Sequence, residues 1–341
     1  RLISFIPPFV AQAAMDTGVA RKPIDDMEAY RHSLARRADP SASFIQGVQA
    51  RCKELQRRIV FAEGEEPAVV RAAFSFKNQG LGHPILIGRE AQVERTMEQM
   101  GVPAGTLEII NARLSDNNPV YTDFLYARLQ RDGYLKRDVQ RLVNQDRNIF
   151  GCCMLKNGDA DGMVTGVTRN YDVALSDSRL VLDTLPGQAL IGMSMVINRG
   201  RTVFIADTSV TELPQGDDLA NIALEAAAAV RAMGFIPRVA FLSYSTFGNP
   251  MGERGEKVRE AVAILDEMGD VGFEYEGDMN ADIALNPGHS LLYPFSRLKG
   301  PANVLVMPAF HSASIATKML ESMSRATVIG PMLLGLEKPV Q

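Results

Sequence analysis

RIVFAEGEEPAVVRAAFSFKNQGLGHPILIG, residues 58–88, contains a complete strand–helix–strand unit. RIVFAEG (58–64) is a short β-branched run closing on glycine, the form of a buried parallel strand that hands over to a helix. Residues 66–80 supply that helix and HPILIG (83–88) the next strand. Outward from this unit the alternation continues with a helix over 90–100, the strand LEIIN (107–111), helices over 120–131 and 136–146, and the strand end GMVTG (162–166). It resumes with RTVFIAD (201–207), an Ala-rich helix over 217–233, PRVAFLS (237–243), a helix over 255–268, ANVLVMP (302–308), a helix over 313–322 and ATVIGPML (326–333). Strands alternating with helices of about 10–17 residues predict α/β architecture with parallel sheets.

Ahead of this region, residues 1–20 read as a helix entered through Pro7-Pro8 and left at Gly18. Residues 21–57 read as a charged linker carrying Arg31, Arg36, Arg37 and Asp39, then a helix over 43–57. The 341 residues correspond to about two domains. Hydrophobic residues make up 46% and charged ones 22%, which excludes a disordered chain. A net charge of -4 gives no basic face for nucleic acid. No apolar run is long enough to span a membrane, and the opening residues do not follow the order of a signal peptide. Three cysteines, two of them adjacent (Cys152, Cys153), form neither a disulfide framework nor a zinc motif, and suit a reducing cytoplasm. The chain opens inside an amphipathic pattern and closes on a strand-like stretch, so it is expected to be a piece of a longer polypeptide.

In parallel α/β folds ligands sit at the carboxyl ends of the strands. Those ends here read AEGEE (62–66), DGMVTGVTRNYD (161–172), ADTSV (206–210), LSYSTFGNPMGERG (242–255), EGDMNADIA (276–284) and MPAFHSASIATKM (307–319). Their Ser, Thr, Asn and Gly can present hydroxyls and backbone N–H groups to phosphate, although the same residues also cap helices. No Walker A sequence, no strand–GxGxxG–helix fingerprint and no G-x-S-x-G elbow occurs, and His32, His83, His289 and His311 do not cluster in sequence.

These segments, in this order and spacing, resemble the phosphate acetyltransferase/butyryltransferase family from about Arg58 to Gln341, through IVFAEGEE, HPILIG, DADGMVTG, FIADTSV, LSYSTFG, YEGDMNADIAL, ANVLVMP and GPMLLGLEKPV. RLISFIPPFVAQAAMDTGVA looks like the closing helix of a bacterial malic enzyme domain, and the pairing resembles the layout of the hybrid NADP-dependent malic enzymes. The resemblance implies two three-layer α/β domains with parallel sheets and a cleft between them. It places 1–20 as the end of the malic enzyme domain, 21–57 as linker and helix, 58–186 plus 326–341 as the first domain and 187–325 as the second. It implies a homo-oligomer, a dimer of this domain within a larger assembly, and the alanines of 219–233 would permit close helix approach.

Acyl transfer between phosphate and a thiol needs forked cations for the departing phosphate and a carboxylate base. Where the family has the lysine of an STKGS motif, this sequence has Phe247, within Ser245-Thr246-Phe247-Gly248-Asn249. Where the family has an arginine soon after its TG strand, Asn170-Tyr171-Asp172 follow, with Arg179 a few positions late. Ser322 stands where the family has another arginine. Missing cations leave the desolvation of phosphate uncompensated. No catalytic residue and no metal site is therefore expected in this chain. The groups left for acetyl-CoA are Ser243, Ser245, Thr246, Gly248, Asn249, Asp278, Asn280 and Lys318, with Tyr171 stacking on adenine or pantetheine and Arg141 and Arg169 holding a phosphate. The expectation is an acetyl-CoA-binding, oligomer-forming regulatory domain that mediates allosteric inhibition of the malic enzyme part by acetyl-CoA, with NADP and a divalent metal in that part. An active transferase and a purely structural module stand as alternatives.

Overall fold

The structure is a computed structural model that describes residues 2–24, 26, 27, 30, 31, 34, 40–198, 200–286, 288–324 and 326–341. His32, Arg36, Arg37 and Asp39 lie outside the described residues. The first half of the chain forms α1 (Leu2–Asp16), α2 (Pro40–Leu55), β1 (Arg57–Phe61), α3 (Pro67–Asn78), β2 (Gly82–Ile87), α4 (Glu90–Gln99), β3 (Glu108–Ile110), α5 (Asn118–Leu129), α6 (Lys136–Gln145), α7 (Arg147–Asn157), β4 (Gly162–Val164) and α8 (Tyr171–Val181). The second half forms β5 (Ile191–Asn198), β6 (Arg201–Ala206), α9 (Gly216–Ala232), β7 (Arg238–Leu242), α10 (Glu253–Met268), β8 (Glu274–Met279), α11 (Ala281–Ala284), α12 (His289–Leu292), β9 (Val304–Val306), α13 (Phe310–Ser324) and β10 (Thr327–Leu334). Two compact units result, 50–192 with 331–341 and 1–49 with 193–330.

The first unit holds a four-stranded sheet of order β3-β2-β1-β4, with every pairing parallel. Side chains alternate across a strand, so its residues divide between two faces. Val60, Ala62, Ile85, Ile87 and Met163 join one buried cluster with α5, α6 and α7, while Phe61 and Leu86 join the other with Val69, Val70 and Ala73 of α3 and Val93 and Met97 of α4. Helices thus cover both faces of the sheet. Gly64 permits the turn after β1 to approach β2: its N–H donates to the Ile87 carbonyl at 3.0 Å, and a Cβ there would meet Leu86 Cβ at 2.8 Å and that carbonyl oxygen at 2.9 Å. Residues 339–341 return to lie parallel to β4: Met163 N–H donates to Pro339 O at 3.0 Å and Gln341 N–H to Met163 O at 2.8 Å.

The second unit holds a six-stranded sheet of order β10-β5-β6-β9-β7-β8. Its β6, β9, β7 and β8 are parallel neighbours, whereas β5 runs antiparallel to β6. Val196, Ile205, Ala240, Leu242 and Leu305 pack with Ala313 of α13 on one face. On α9, Leu219, Ala220, Ala223, Ala226 and Ala227 are buried, and the helix contacts β6, β9, β7 and α10. These small side chains pack within the unit, while Ala228 on the same helix is exposed.

Helix α1 begins at Leu2, so Pro7 and Pro8 lie inside it rather than at its entry. The apolar residues on either side carry the helical pattern through the two missing N–H groups. Its end at Gly18, with φ 74°, is where the sequence puts it. Helices α7, α8, α11 and α12 and strand β5 have no counterpart in the sequence reading, which recognised only the end of β8. In α7 every residue from Asn148 to Leu155 is buried, which erases the polar face that makes a helix recognisable, and the first six residues of β5 are buried without alternation.

Candidate functional site

In the second unit the carboxyl ends of β7 and β8 meet through one carboxylate. Asp278 is fully buried; its Oδ1 accepts the Gly248 N–H at 2.9 Å, and its Oδ2 accepts the Ser245 hydroxyl and lies 3.4 Å from Arg259 Nη1. Ser243 Oγ lies 2.9 Å from Ser245 Oγ, and Asn280 N–H donates to Thr246 Oγ1 at 3.2 Å. The Asn280 amide, with its nitrogen toward the β7 loop, donates to the Ser243 and Tyr244 carbonyls at 2.9 and 2.8 Å. Thr246 and Asn249 exchange backbone hydrogen bonds of 3.1 and 3.2 Å. Phe247 (φ 52°) and Gly248 (φ 81°) both take the left-handed conformation, which is undemanding for glycine and strained for phenylalanine. The Phe247 ring is held by Tyr293 and Phe295, with centroids 5.1 and 4.8 Å away.

Seven of the eleven residues singled out from sequence thus form one bonded cluster: Ser243, Ser245, Thr246, Gly248, Asn249, Asp278 and Asn280. Lys318 belongs to the same unit but is exposed on α13, with no hydrogen bond to this cluster among the described residues. Beside Ser243 and Tyr244 opens a pocket of about 580 Å³, closed by Leu213 and Gln215 after β6, Lys257 of α10, and His311 and Ser312 at the start of α13. Lys257 Nζ donates to Gln215 Oε1 at 2.7 Å, and His311 Nε2 lies 3.3 Å from Glu212 Oε1. Sequence reading missed Lys257 and His311; their place near the starts of helices that follow strand-end loops is the signal that could have found them.

The remaining three residues belong to the first unit. Arg169 Nη1 is 2.6 Å from both Asp146 Oδ2 and Asp177 Oδ2, and its guanidinium is held above its usual range: burial opposes the charge, but the two carboxylates outweigh it. Asn148 extends this network, donating to Asp177 at 3.1 Å and accepting from the Thr165 hydroxyl at 2.6 Å. Glu63 pins the neighbouring loop by accepting Val167 N–H at 2.6 Å and Thr168 N–H at 2.7 Å. Burial alone would raise the Glu63 carboxyl, but the Thr168 hydroxyl and these N–H groups hold it below its ordinary value. Tyr171 is half-buried at the start of α8, and Arg141 is exposed on α6. Among the described residues no group of acids, histidines and cysteines could hold a metal ion, and no helix is long and apolar enough to cross a membrane.

Two α/β units with polar loops at the carboxyl ends of parallel strands are an architecture that many activities share; the chain belongs to the phosphate acetyl/butaryl transferase family, whose model matches residues 43–341. The NADP-dependent malic enzyme of Rhizobium meliloti is 57% identical over all of this chain, which covers 45% of that protein. A phosphate acetyltransferase from Thermoanaerobacterium thermosaccharolyticum is 30% identical over 87% of this chain and 92% of that protein. Among solved structures, a phosphotransacetylase from Streptococcus pyogenes superposes with a TM-score of 0.80 at 28% identity, covering 88% of this chain and 92% of that one. The chain spans about half the length of the curated malic enzymes that it matches.

Proposed function

We propose that this chain is the regulatory and oligomer-forming part of an NADP-dependent malic enzyme, and that it binds acetyl-CoA without transferring the acetyl group. NADP and a divalent metal then belong to the malic enzyme part, which oxidatively decarboxylates malate to pyruvate. The observation that carries this reading is Phe247. Where active family members resemble one another in placing a lysine, this chain has an aromatic ring packed between Tyr293 and Phe295, which supplies no cation to a phosphate. Acetyl-CoA needs hydroxyls, amides and a larger cavity, and the pocket beside Ser243 and Tyr244, about 580 Å³, has those groups on its walls. Since Asp278 and Ser245 are bonded to each other, they position the loop around the ligand.

Oligomer formation is supported by α13, which exposes Ile315, Met319, Leu320 and Met323 along one side. Such a stripe at helical spacing is the kind of surface a second copy covers.

Titration with acetyl-CoA followed by a phosphate-dependent turnover assay tests the reading. Binding without acetyl phosphate formation is expected; turnover would establish the transferase, and absence of binding would leave a scaffold. Lys257→Ala and Gln215→Ala, both on the pocket wall, are each expected to weaken acetyl-CoA binding by about 1–2 kcal/mol. In the full-length enzyme they should relieve inhibition and leave uninhibited malate oxidation unchanged. Retained sensitivity in both variants refutes the site.

A further inference from the structure

The first unit has a second strand-end cavity that none of this uses. It measures about 440 Å³ and opens where β1, β2 and β3 deliver Glu65, Arg89 and Asn111–Leu114, facing Asn144 and Arg147 at the junction of α6 and α7. All of its walls come from residues 65–147 of one unit. Three arginines line it, and only one is neutralised. Glu65 Oε1 accepts Arg89 N–H and Nε–H at 2.9 and 3.0 Å, and Oε2 accepts Nη2–H at 2.9 Å. Arg113 and Arg147 make no ion pair or side-chain hydrogen bond among the described residues. The neighbouring carboxylate, Asp146, is already committed: Oδ1 caps α7 through Asn148 and Ile149 N–H, and Oδ2 holds Arg169.

Arg147 is half-buried, and the carboxylate that it attracts, Glu65, is already bonded to Arg89. Ile87, Ala112 and Leu114 add an apolar side, with Leu114 76% exposed at the rim.

We infer that this cavity is a binding site for a small phosphate ester, the chemistry shared by nucleoside and sugar phosphates. The phosphate is held by Arg113 and Arg147, whose planar forks match its oxygens. The organic body rests on Leu114. The site shares no residue with the one proposed for acetyl-CoA and does not depend on it. Acetyl-CoA itself carries phosphates, so the test includes it.

Calorimetric titration of the protein with adenosine monophosphate, glucose 6-phosphate, inorganic phosphate and malate examines this directly. One of the two esters is expected to bind with Kd below about 1 mM, and inorganic phosphate about ten-fold more weakly. Preference between the two esters identifies the source of the ligand. Arg147→Gln and, on the exposed rim, Arg113→Gln should each weaken the ester about ten-fold, with the acetyl-CoA titration unchanged. The exposed Arg113 keeps the test valid should the Arg147 variant fold poorly. The inference is overturned if neither ester binds in that range, if inorganic phosphate or malate binds equally well, or if Arg113→Gln retains parental affinity. It is also overturned if the variants lose acetyl-CoA along with the ester, because the cavity is then part of the coenzyme site.

Discussion

Replacing Asp278 by alanine tests whether one buried carboxylate holds the β7 and β8 loops together. The Gly248 N–H, bonded at 2.9 Å, loses its acceptor. A donor stranded in this way costs about 1–3 kcal/mol. The Ser245 hydroxyl can turn to Ser243 Oγ, 2.9 Å away, so it loses only the difference between a charged and a neutral acceptor. That difference is about 1 kcal/mol. Arg259, 29% exposed in its side chain and 3.4 Å from Oδ2, can be hydrated and adds little. The total is about 3 kcal/mol, against the 5–15 kcal/mol that holds a typical domain folded. Asp278→Asn keeps an acceptor for Gly248 and should cost about half as much.

Two units can unfold separately, so a global transition alone would blur the effect. Amide hydrogen exchange at residues 246–249, beside urea unfolding, localises it: exchange there should accelerate about a hundred-fold in the alanine variant, the kinetic equivalent of about 3 kcal/mol. If alanine falls within about 0.5 kcal/mol of the parent, the argument that Asp278 is a positioning residue fails, because surface-like substitutions have effects of that size.

Gly64→Ala should destabilise the four-stranded unit by about 2–3 kcal/mol, read as a lower urea midpoint, because the new Cβ meets backbone at 2.9 Å and cannot push it aside. The Glu65 carboxyl is held at about 2, chiefly by the Arg89 hydrogen bonds, below its ordinary 4.5. A depressed carboxyl contributes stability above its unfolded pKa and loses it as pH falls through the folded one, so Glu65→Gln should flatten acid destabilisation between about pH 4.5 and 2. With Arg89 largely exposed, the difference is about 1 kcal/mol in pH-dependent unfolding curves. Burial pushes the Cys152 thiol up to about 12, and Cys153 also upward, whereas Cys52 is half-buried. A thiol reagent should therefore modify Cys52 first, and the adjacent pair only at the rate of unfolding.

The alternation that begins at RIVFAEG made the parallel architecture legible, because short β-branched runs and helices of similar length leave few other arrangements. The rule that ligands gather at strand ends also brought Ser243, Ser245, Thr246, Gly248, Asn249, Asp278 and Asn280 together before any coordinates. Their roles were not legible. Asp278 meets Ser245 from another strand, and nothing in either segment announces the pair. Arg169 read as a free phosphate anchor because Asp146 and Asp177, far apart in sequence, converge on it only in the fold. Arg113 follows β3 and Arg147 opens α7, with no motif joining them, so the cavity they line escaped the sequence reading altogether. The antiparallel β5 and α7, buried from Asn148 to Leu155, lack the periodicity on which such reading depends.

Residues 339–341 complete the edge of the four-stranded sheet beside β4, yet between β4 and those residues the chain builds almost the whole of the other unit. On a ribosome the consequence is a fixed order of assembly. The nascent four-stranded unit must wait, with its β4 edge uncovered, while residues 193–330 are translated, and that edge is a template for unwanted pairing in the meantime. A nonsense codon just ahead of Pro339 would leave the six-stranded unit fully encoded while denying its neighbour a strand.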